Sequence, residues 1–459
     1  MHLSSVAIKL WSTPLALAFW AWASFALAIV KVTRSPRDPN RALLVTWEFP
    51  PCSATGVHLP ASIARHAAEA GLRMHVVCGP SPLHCGAAGE ELAEVIPADV
   101  QIARVPRLLA SERYVHFHLA WGIPSLDGGL LTALAMALTA AWRWRHHPPA
   151  VVIASGPRFA NFAAARRVAE TFGAKLLLQY RDEWTVHTPD FVSVSAYDRA
   201  EEQRCLARAD VVSFVSDGKR AAYLRAFPQI DPAKFITTPN GWEPCFHEKA
   251  RADTRHLPVA AGSFSLTYTG RYHRSFEGLL NSCEALLARR PDLGALRLVF
   301  IGEQLPQNRV LLAAFAKRHP GVLIELPAAP PTTAVEIQRE SSALLLVNDH
   351  SYDGVIPLKT FDYMCSAQPI LVYGRTGGAA DIVAETDAGL CVDADDSHAL
   401  ECALARLMTG NRPWDTPARR AWCNRHNRRD LVKEMLAAIG IGGAIRVSEA
   451  VPCASLPPP

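Results

Sequence analysis

The stretch ALLVTWEFPPCSATG at residues 42–56 has the pattern of a buried strand that ends in a loop. Its first five residues are a short apolar run, which is typical of a strand covered on both faces of a parallel sheet. Helical spacing of apolar residues follows over 57–70 and ends at Gly71. Small residues at a helix N-terminus let a phosphate approach free backbone N–H groups, so Gly56 is a candidate ligand-binding residue. A plain strand-to-helix turn is the alternative interpretation.

The same alternation of strand and helix continues along the chain. In the first half, strands are predicted at 74–78, 151–154, 175–180 and 211–215, with helices at 158–172 and 194–208. After a polar, irregular stretch at 243–263, strands are predicted at 265–269, 296–301, 322–326, 343–347, 369–373 and 389–392, with helices between them. Such alternation indicates parallel sheets with right-handed crossovers. We therefore expect an α/β protein with two Rossmann-like, doubly wound domains that face a cleft, where loops bind ligands.

These patterns divide the chain into five segments. We expect a hydrophobic anchor with a basic linker (1–41), an acceptor domain (42–243), a donor domain (244–415), a helix packing back towards the acceptor domain (416–443) and a disordered tail (444–459). The tail ends in a proline-rich stretch, which favours disorder.

The N-terminal run LWSTPLALAFWAWASFALAIV at 10–30 carries no charge. About 20 apolar residues suffice for a helix to cross a bilayer. The basic residues after it, Lys31, Arg34, Arg37 and Arg41, would be retained inside, so we expect a membrane-associated protein with a cytoplasmic catalytic body. Two alternatives are a cleaved signal peptide with the box Ala26-Leu27-Ala28, and a misassigned start codon.

A second apolar segment spans 128–147 and ends in Arg143, Arg145, His146 and His147. It is either a helix lying on a membrane surface with basic residues at the phosphates, or a core-facing helix whose basic end suits the helix dipole.

Composition narrows the class of protein. The chain has 459 residues, 49% of them hydrophobic and 20% charged, which excludes a disordered chain. The formal net charge of +4 gives no support to nucleic-acid binding. The 11 cysteines lack any C-x-x-C pair, and this favours a reducing compartment.

Polar residues follow several predicted strands, at the edge where open α/β sheets place their sites. Asp182 follows strand 175–179 and is placed to orient or deprotonate an acceptor hydroxyl; a structural pair with Arg181 is the alternative. Gly270, Arg271 and Arg274 follow the first strand of the second domain, where guanidinium groups can hold a diphosphate.

Two further loops of the second domain are suited to anions. Lys359 lies near the N-terminus of a predicted helix, and Asp362, one turn on, can accept from a ribose hydroxyl. Gly377 and Gly378 open another helix after a strand. Three such loops in one domain indicate a nucleotide site.

Taken together, these segments resemble family 4 glycosyltransferases of the GT-B fold, a retaining group that needs no metal. The resemblance covers about residues 42–438. It is carried by Phe49-Pro50-Pro51…Gly56, Ala154-Ser155-Gly156-Pro157-Arg158-Phe159, Arg181-Asp182-Glu183-Trp184, Pro239-Asn240-Gly241, Gly270-Arg271 and Ile356-Pro357-Leu358-Lys359-Thr360-Phe361-Asp362-Tyr363.

By this resemblance, Arg271 and Lys359 grip the donor diphosphate and Asp362 meets the ribose. The family often carries two glutamates separated by seven residues; here the second position is Asp362 and the first is Gly354, beside Asp353 as the candidate substitute. The resemblance implies a nucleotide-sugar donor as substrate, a glycan or lipid-linked acceptor, no metal and no other cofactor.

Two other functions share parts of this pattern. A nucleotide-sugar epimerase has the same double-Rossmann scaffold but needs acid and base carboxylates around the sugar. A catalytically dead, membrane-tethered binding module is the non-enzymatic alternative, and the presence of Arg271, Lys359 and Asp362 argues against it.

Overall fold

The chain folds into two parallel α/β units that share a boundary formed by a linker and a C-terminal helix pair. The computed structural model describes residues 2–81, 85–106, 129–186, 194–252, 254–272, 275–290, 295–348, 356–374, 377–394, 396–410 and 413–441. The tail expected to be disordered, 444–459, lies outside these residues.

The N-terminal unit is built on a seven-stranded parallel sheet with strand order β3-β2-β1-β4-β5-β6-β7. Its strands are β1 (Asp38–Val45), β2 (Arg73–Cys78), β3 (Gln101–Arg104), β4 (Pro149–Gly156), β5 (Lys175–Tyr180), β6 (Val211–Phe214) and β7 (Phe235–Thr237). The helices between them are α2 (His58–Glu69), α3 (Ala87–Glu94), α4 (Gly129–Arg143), α5 (Ala160–Phe172), α6 (Ala196–Arg208) and α7 (Asp217–Ala226). The central strand β1 is apolar on both faces because helices cover both sides of the sheet.

The C-terminal unit repeats this plan with a six-stranded parallel sheet in the order β10-β9-β8-β11-β12-β13. Its strands are β8 (Phe264–Thr269), β9 (Leu296–Ile301), β10 (Leu323–Leu326), β11 (Ala343–Asn348), β12 (Ile370–Gly374) and β13 (Gly389–Val392). Its helices are α9 (Glu277–Arg289), α10 (Pro306–Arg318), α11 (Pro331–Glu340), α12 (Leu358–Cys365), α13 (Ala379–Glu385) and α14 (Ser397–Met408). In each sheet the order reverses beside the first strand, and ligands of open sheets bind at such a switch point.

The stretch 243–263, which the sequence indicates as irregular, contains a short helix, α8 (Pro244–Lys249). Its Cys245 and Phe246 are buried against Leu92 of α3 and Val335 of α11. Helix formation here depends on apolar contacts with both units, which the local sequence does not reveal.

The segment 416–443, expected to be one helix, contains two, α15 (Pro417–Arg425) and α16 (Arg428–Ala438). Asn427 caps the second helix by accepting from Arg429 N–H, and this cap breaks the run. Helix α16 packs against α2, and Leu436 lies in the same core cluster as the strands of the first sheet.

A helix precedes the first sheet: α1 (His2–Thr33). It packs against α4 and α5, and Ala23, Leu27 and Val30 are buried in the core cluster of the N-terminal unit. Within the described part of the chain, none of the helices combines the length and the apolar character needed to cross a membrane.

The expectation of two Rossmann-like, doubly wound α/β domains is confirmed by the two sheets and their orders.

Candidate functional site

The side chain of Lys359 is unusual because its charge is buried at the start of α12. Lys359 is the second residue of α12, and its Nζ lies 3.6 Å from the centroid of the Tyr268 ring. The ammonium is buried and has no hydrogen-bond partner among the described residues. Burial lowers the pKa of Lys359 to about 7. A buried lysine that lies beside a helix N-terminus and lacks such a partner is suited to bind an anion.

The loop after β8 lies next to this ammonium. A Cβ atom on Gly270 would sit 3.9 Å from Lys359 Nζ, and Gly270 itself has φ +87°, a conformation that favours glycine. The Tyr363 hydroxyl accepts from Thr269 N–H at 2.8 Å, which joins α12 to the end of β8. The two loops that sequence reasoning assigned to a diphosphate are therefore neighbours.

Arg271 lies at the same loop but already has a partner. Its guanidinium donates to the Glu303 carboxylate at 3.0 Å and to the Glu303 carbonyl at 3.1 Å. Both side chains are about half exposed or more, at 47% and 70%. An exposed ion pair is worth about 0–1 kcal/mol, so exchange of Glu303 for a phosphate costs little.

Asp362, the residue assigned to a ribose, is partly exposed at the boundary of the two units. Its Oδ1 lies 3.8 Å from Nε2 of His247 in the linker helix α8. The His247 ring is buried against Trp242, and neither ring nitrogen has a hydrogen-bond partner in the described residues. A carboxylate and an unpaired imidazole at this distance can share one hydroxyl ligand between them.

The N-terminal unit contributes the loop at Gly56. Arg181 donates to the Gly56 carbonyl at 2.8 Å and to the Gly156 carbonyl at 2.5 Å, and this fixes the loops after β1, β4 and β5 together. Burial lowers the pKa of the Arg181 guanidinium. Arg181 therefore has a structural role, because it holds these loops together.

Asp182 pairs with Lys219 of α7, at 3.6 Å, and remains 61% exposed. Lys219 also reaches Glu183 at 3.0 Å. The Asp182 carboxylate is therefore accessible to an incoming hydroxyl and lies beside a cation.

His58, the first residue of α2, is a site residue that sequence reasoning missed. Burial and, to a smaller extent, the charge of Arg428 lower the pKa of His58 to about 4, although the charges of Asp362 and Glu243 oppose this shift. Its ring is therefore neutral at pH 7 and can both donate and accept one hydrogen bond. The charge of Asp362 acts on His58, so the start of α2 lies within electrostatic range of α12.

Two further residues assigned to the site from the sequence are glycines. Gly377 and Gly378 precede α13 with φ +107° and +52°, where side chains other than glycine are disfavoured. Arg274, Asp353 and Gly354 lie outside the described residues.

Arg419 of α15 supports the helix that bears Lys359 and Asp362. Its side chain is fully buried, at 0% exposure. It donates to four backbone carbonyls, those of Tyr363 (2.6 Å), Met364 (2.7 Å), Gln368 (2.8 Å) and Trp414 (3.1 Å). Two of these belong to the last turn of α12, where a cation suits the helix dipole. The sequence gives no signal for this role, because the contact spans more than 50 residues.

The linker between the units is fixed by Glu243. Its carboxylate accepts from His66 Nε2 at 3.1 Å and from the Ser62 hydroxyl, both on α2. Burial alone would raise the pKa of Glu243, but the hydrogen bond and charge of His66 and the charge of Arg428 hold it well below its usual range. An ionised carboxylate therefore fastens the linker to the first unit.

Comparison with protein families gives one match. Residues 56–241 match the family described as a glycosyl transferase 4-like domain. No curated protein sequence matches the chain.

Solved structures of the same fold cover nearly the whole chain. An Escherichia coli structure described as trehalose-6-phosphate bound with UDP-2-fluoro glucose has a TM-score of 0.63 at 14% identity, covering 87% of this chain and 98% of that one. The α,α-trehalose-phosphate synthase (UDP-forming) of Burkholderia vietnamiensis has a TM-score of 0.63 at 16% identity, covering 88% and 99%. HepE of Anabaena, solved with UDP and glucose, has a TM-score of 0.60 at 12% identity, covering 87% and 99%.

At these identities the structures establish the fold, which is that of GT-B glycosyltransferases. The matching domain at residues 56–241 is a glycosyltransferase domain, and the chain has the fold of GT-B glycosyltransferases.

Proposed function

We propose that this glycosyltransferase moves a sugar from a nucleoside diphosphate donor to a hydroxyl of a glycan or lipid-linked acceptor, with retention and without a metal, as family 4 members do. The observation that carries the proposal is the buried ammonium of Lys359 at the start of α12, which has no hydrogen-bond partner among the described residues. The donors in the names of the similar structures, UDP-2-fluoro glucose and UDP with glucose, support a nucleoside diphosphate.

The chemistry requires stabilisation of a leaving group. The bond between the sugar's anomeric carbon and the diphosphate oxygen breaks, and a bond to the acceptor oxygen forms on the same face. The acceptor's proton passes to the departing diphosphate oxygen. Lys359 and Arg271 neutralise the charge that develops on the diphosphate, and a preorganised cation in a dry site is worth more there than in water. Asp362 and His247 hold the ribose.

The acceptor side belongs to the first unit. We assign the orientation of the acceptor hydroxyl to Asp182, which follows β5, and to the neutral His58 at the start of α2. We propose a cell-surface polysaccharide or its lipid-linked precursor as the acceptor class, in keeping with the apolar N-terminal helix.

The test is release of free nucleoside diphosphate from a panel of nucleotide sugars, with and without candidate acceptors. The donor is chosen first by thermal shift, because a ligand that binds only the folded state raises its stability. Diphosphate release that depends on the acceptor supports transfer. Conversion of the sugar to its epimer without release would identify an epimerase instead.

Turnover is expected to be unchanged by EDTA and by added magnesium or manganese. Lys359 and Arg271 supply the countercharge that a metal gives to other transferases. The check is the rate of diphosphate release after exhaustive chelation. Loss of activity with recovery on adding a divalent cation would refute the metal-free mechanism.

Donor binding is expected to weaken as the pH rises through about 7, the pKa of Lys359 in the free enzyme. An anionic diphosphate binds the protonated ammonium, so binding takes up a proton above this pH and affinity falls roughly tenfold for each further pH unit. Isothermal titration of nucleoside diphosphate between pH 6 and about 9 measures this slope. A flat profile in the same range would show that Lys359 does not meet the diphosphate.

A further inference from the structure

Over residues 18–33, helix α1 has two apolar faces, and the described residues cover only one of them. Ala23, Leu27 and Val30, spaced four and three residues apart, are buried against the N-terminal unit. On the opposite face, Trp22, Phe25, Ile29 and Val32 have spacings of three, four and three residues and are 59%, 66%, 41% and 82% exposed. A contiguous exposed patch of this kind marks an interaction site.

Basic residues lie at the C-terminal end of this exposed face. Ser35 N–H donates to the Arg145 carbonyl at 3.0 Å, so α1 and α4 end side by side. Lys31 and Arg143 are exposed there, and the Arg145 guanidinium lies 4.4 Å from the ring centroid of Trp142, which is 61% exposed. Neither residues 18–37 nor residues 129–147 include a glutamate, and Asp38 is the first acidic residue after the exposed face.

We propose that the exposed face of α1 and the basic ends of α1 and α4 dock the protein onto an anionic lipid bilayer, with α1 lying in the plane of the surface. Tryptophan and phenylalanine suit the boundary between headgroups and acyl chains, and lysine and arginine suit the anionic headgroups. The buried face explains the in-plane orientation: a helix that spans the bilayer would have lipid on all sides, whereas this one is packed along one side on α4 and α5.

The charge pattern selects lipid over a second copy of the chain. A two-fold dimer through this face would bring the same patch of both copies together. Lys31, Arg143 and Arg145 would then lie close to their own equivalents, without carboxylates in the adjoining segments to offset them. Anionic headgroups supply the missing countercharge.

Two of the three linker arginines have a different role. Arg34 donates to the Thr171 carbonyl at 2.9 Å, and Arg37 donates to the Gly173 carbonyl, both at the C-terminal end of α5. They fasten the end of α1 to the first unit. Docking therefore fixes the orientation of the whole N-terminal unit, which bears Asp182 and His58.

The experiment is co-sedimentation of the full chain with two kinds of vesicle, one of phosphatidylcholine alone and one containing phosphatidylglycerol as well. We expect binding to the anionic vesicles, and a fall in partition coefficient of at least about tenfold in the double variant Phe25→Ser/Ile29→Ser. The matched control is Val310→Ser on α10, 70% exposed in the other unit, which is expected to bind like the natural protein. Lys31→Gln/Arg143→Gln is expected to lose roughly tenfold on the anionic vesicles alone.

Two outcomes would overturn the proposal. One is equal sedimentation of the natural protein and the Phe25→Ser/Ile29→Ser variant. The other is a concentration-dependent dimer in light scattering that this variant abolishes, which would assign the face to a second copy. Because vesicle binding is read without donor or acceptor, either outcome leaves the proposed glycosyl transfer untouched.

Discussion

Replacing Lys359 with alanine is expected to lower kcat/KM for the donor roughly ten- to a hundredfold. A hydrogen bond between a charged side chain and a phosphate contributes about 1.5–3 kcal/mol, and each 1.4 kcal/mol is a factor of ten. In the part of the chain that the structure describes, Lys359 has no carboxylate partner to release, so its full interaction with the diphosphate is lost. Steady-state kinetics with the donor found by thermal shift, together with titration of free nucleoside diphosphate, measure the effect.

The matched control is Lys317→Ala, an exposed lysine on α10, which is expected to leave both quantities unchanged. Lys359→Arg keeps the charge but places a larger, planar group over the Tyr268 ring, so we expect partial recovery of binding. Unchanged donor affinity in Lys359→Ala would contradict the assignment of the diphosphate to α12, whatever the rate.

Replacing Arg419 with methionine is expected to lower the free energy of unfolding by about 3 kcal/mol or more. The substitution leaves four buried carbonyls without their donor, and each unsatisfied group costs about 1–3 kcal/mol. The variant no longer has the free-energy cost of burying a guanidinium charge, and this offsets part of the loss. Two of the carbonyls end α12, so the folded fraction of the variant is also expected to have a raised KM for the donor.

Urea unfolding measures the stability change, and Arg420→Met on the same helix is the matched control. The Arg420 side chain is 63% exposed and pairs with Asp415, so its loss is expected to change stability by less than about 1 kcal/mol. Equal stability of the two variants would show that the carbonyls of α12 find other donors. A KM for the donor that stays at the natural value in Arg419→Met would show that Arg419 is structural only.

The alternation of strands and helices could be predicted because apolar residues have a different spacing in each kind of element. The apolar run at 42–45 lies within β1, and the strands 175–180 and 265–269 begin or end within one residue of β5 and β8. A parallel strand covered on both faces is recognised by a run of consecutive apolar residues. The end of a helix is recognised by a single glycine, such as Gly173 after α5. The fold class could therefore be predicted from local patterns alone.

The candidate site was predictable only where it lies on one loop. Lys359 and Asp362 are three residues apart on α12, and the helix start that positions them is visible in the sequence. His247 and His58 could not be identified in this way. His247 contacts Asp362 and His58 is affected by its charge, each across more than 100 residues of chain, and no periodicity encodes such an interaction.

The sequence by itself determined two Rossmann-like sheets, the loops at their carboxyl ends and the residue types suited to a diphosphate. Only the tertiary structure decided which of the charged side chains form ion pairs with other residues. Arg271 is paired with Glu303 and Asp182 with Lys219, whereas Lys359 has no carboxylate partner among the residues that the structure describes. It also decided that one face of the apolar N-terminal helix is buried and the other is open to solvent. The physical reason is that hydrophobicity and charge are properties of a residue, whereas burial and pairing depend on neighbours that the fold brings from distant parts of the chain.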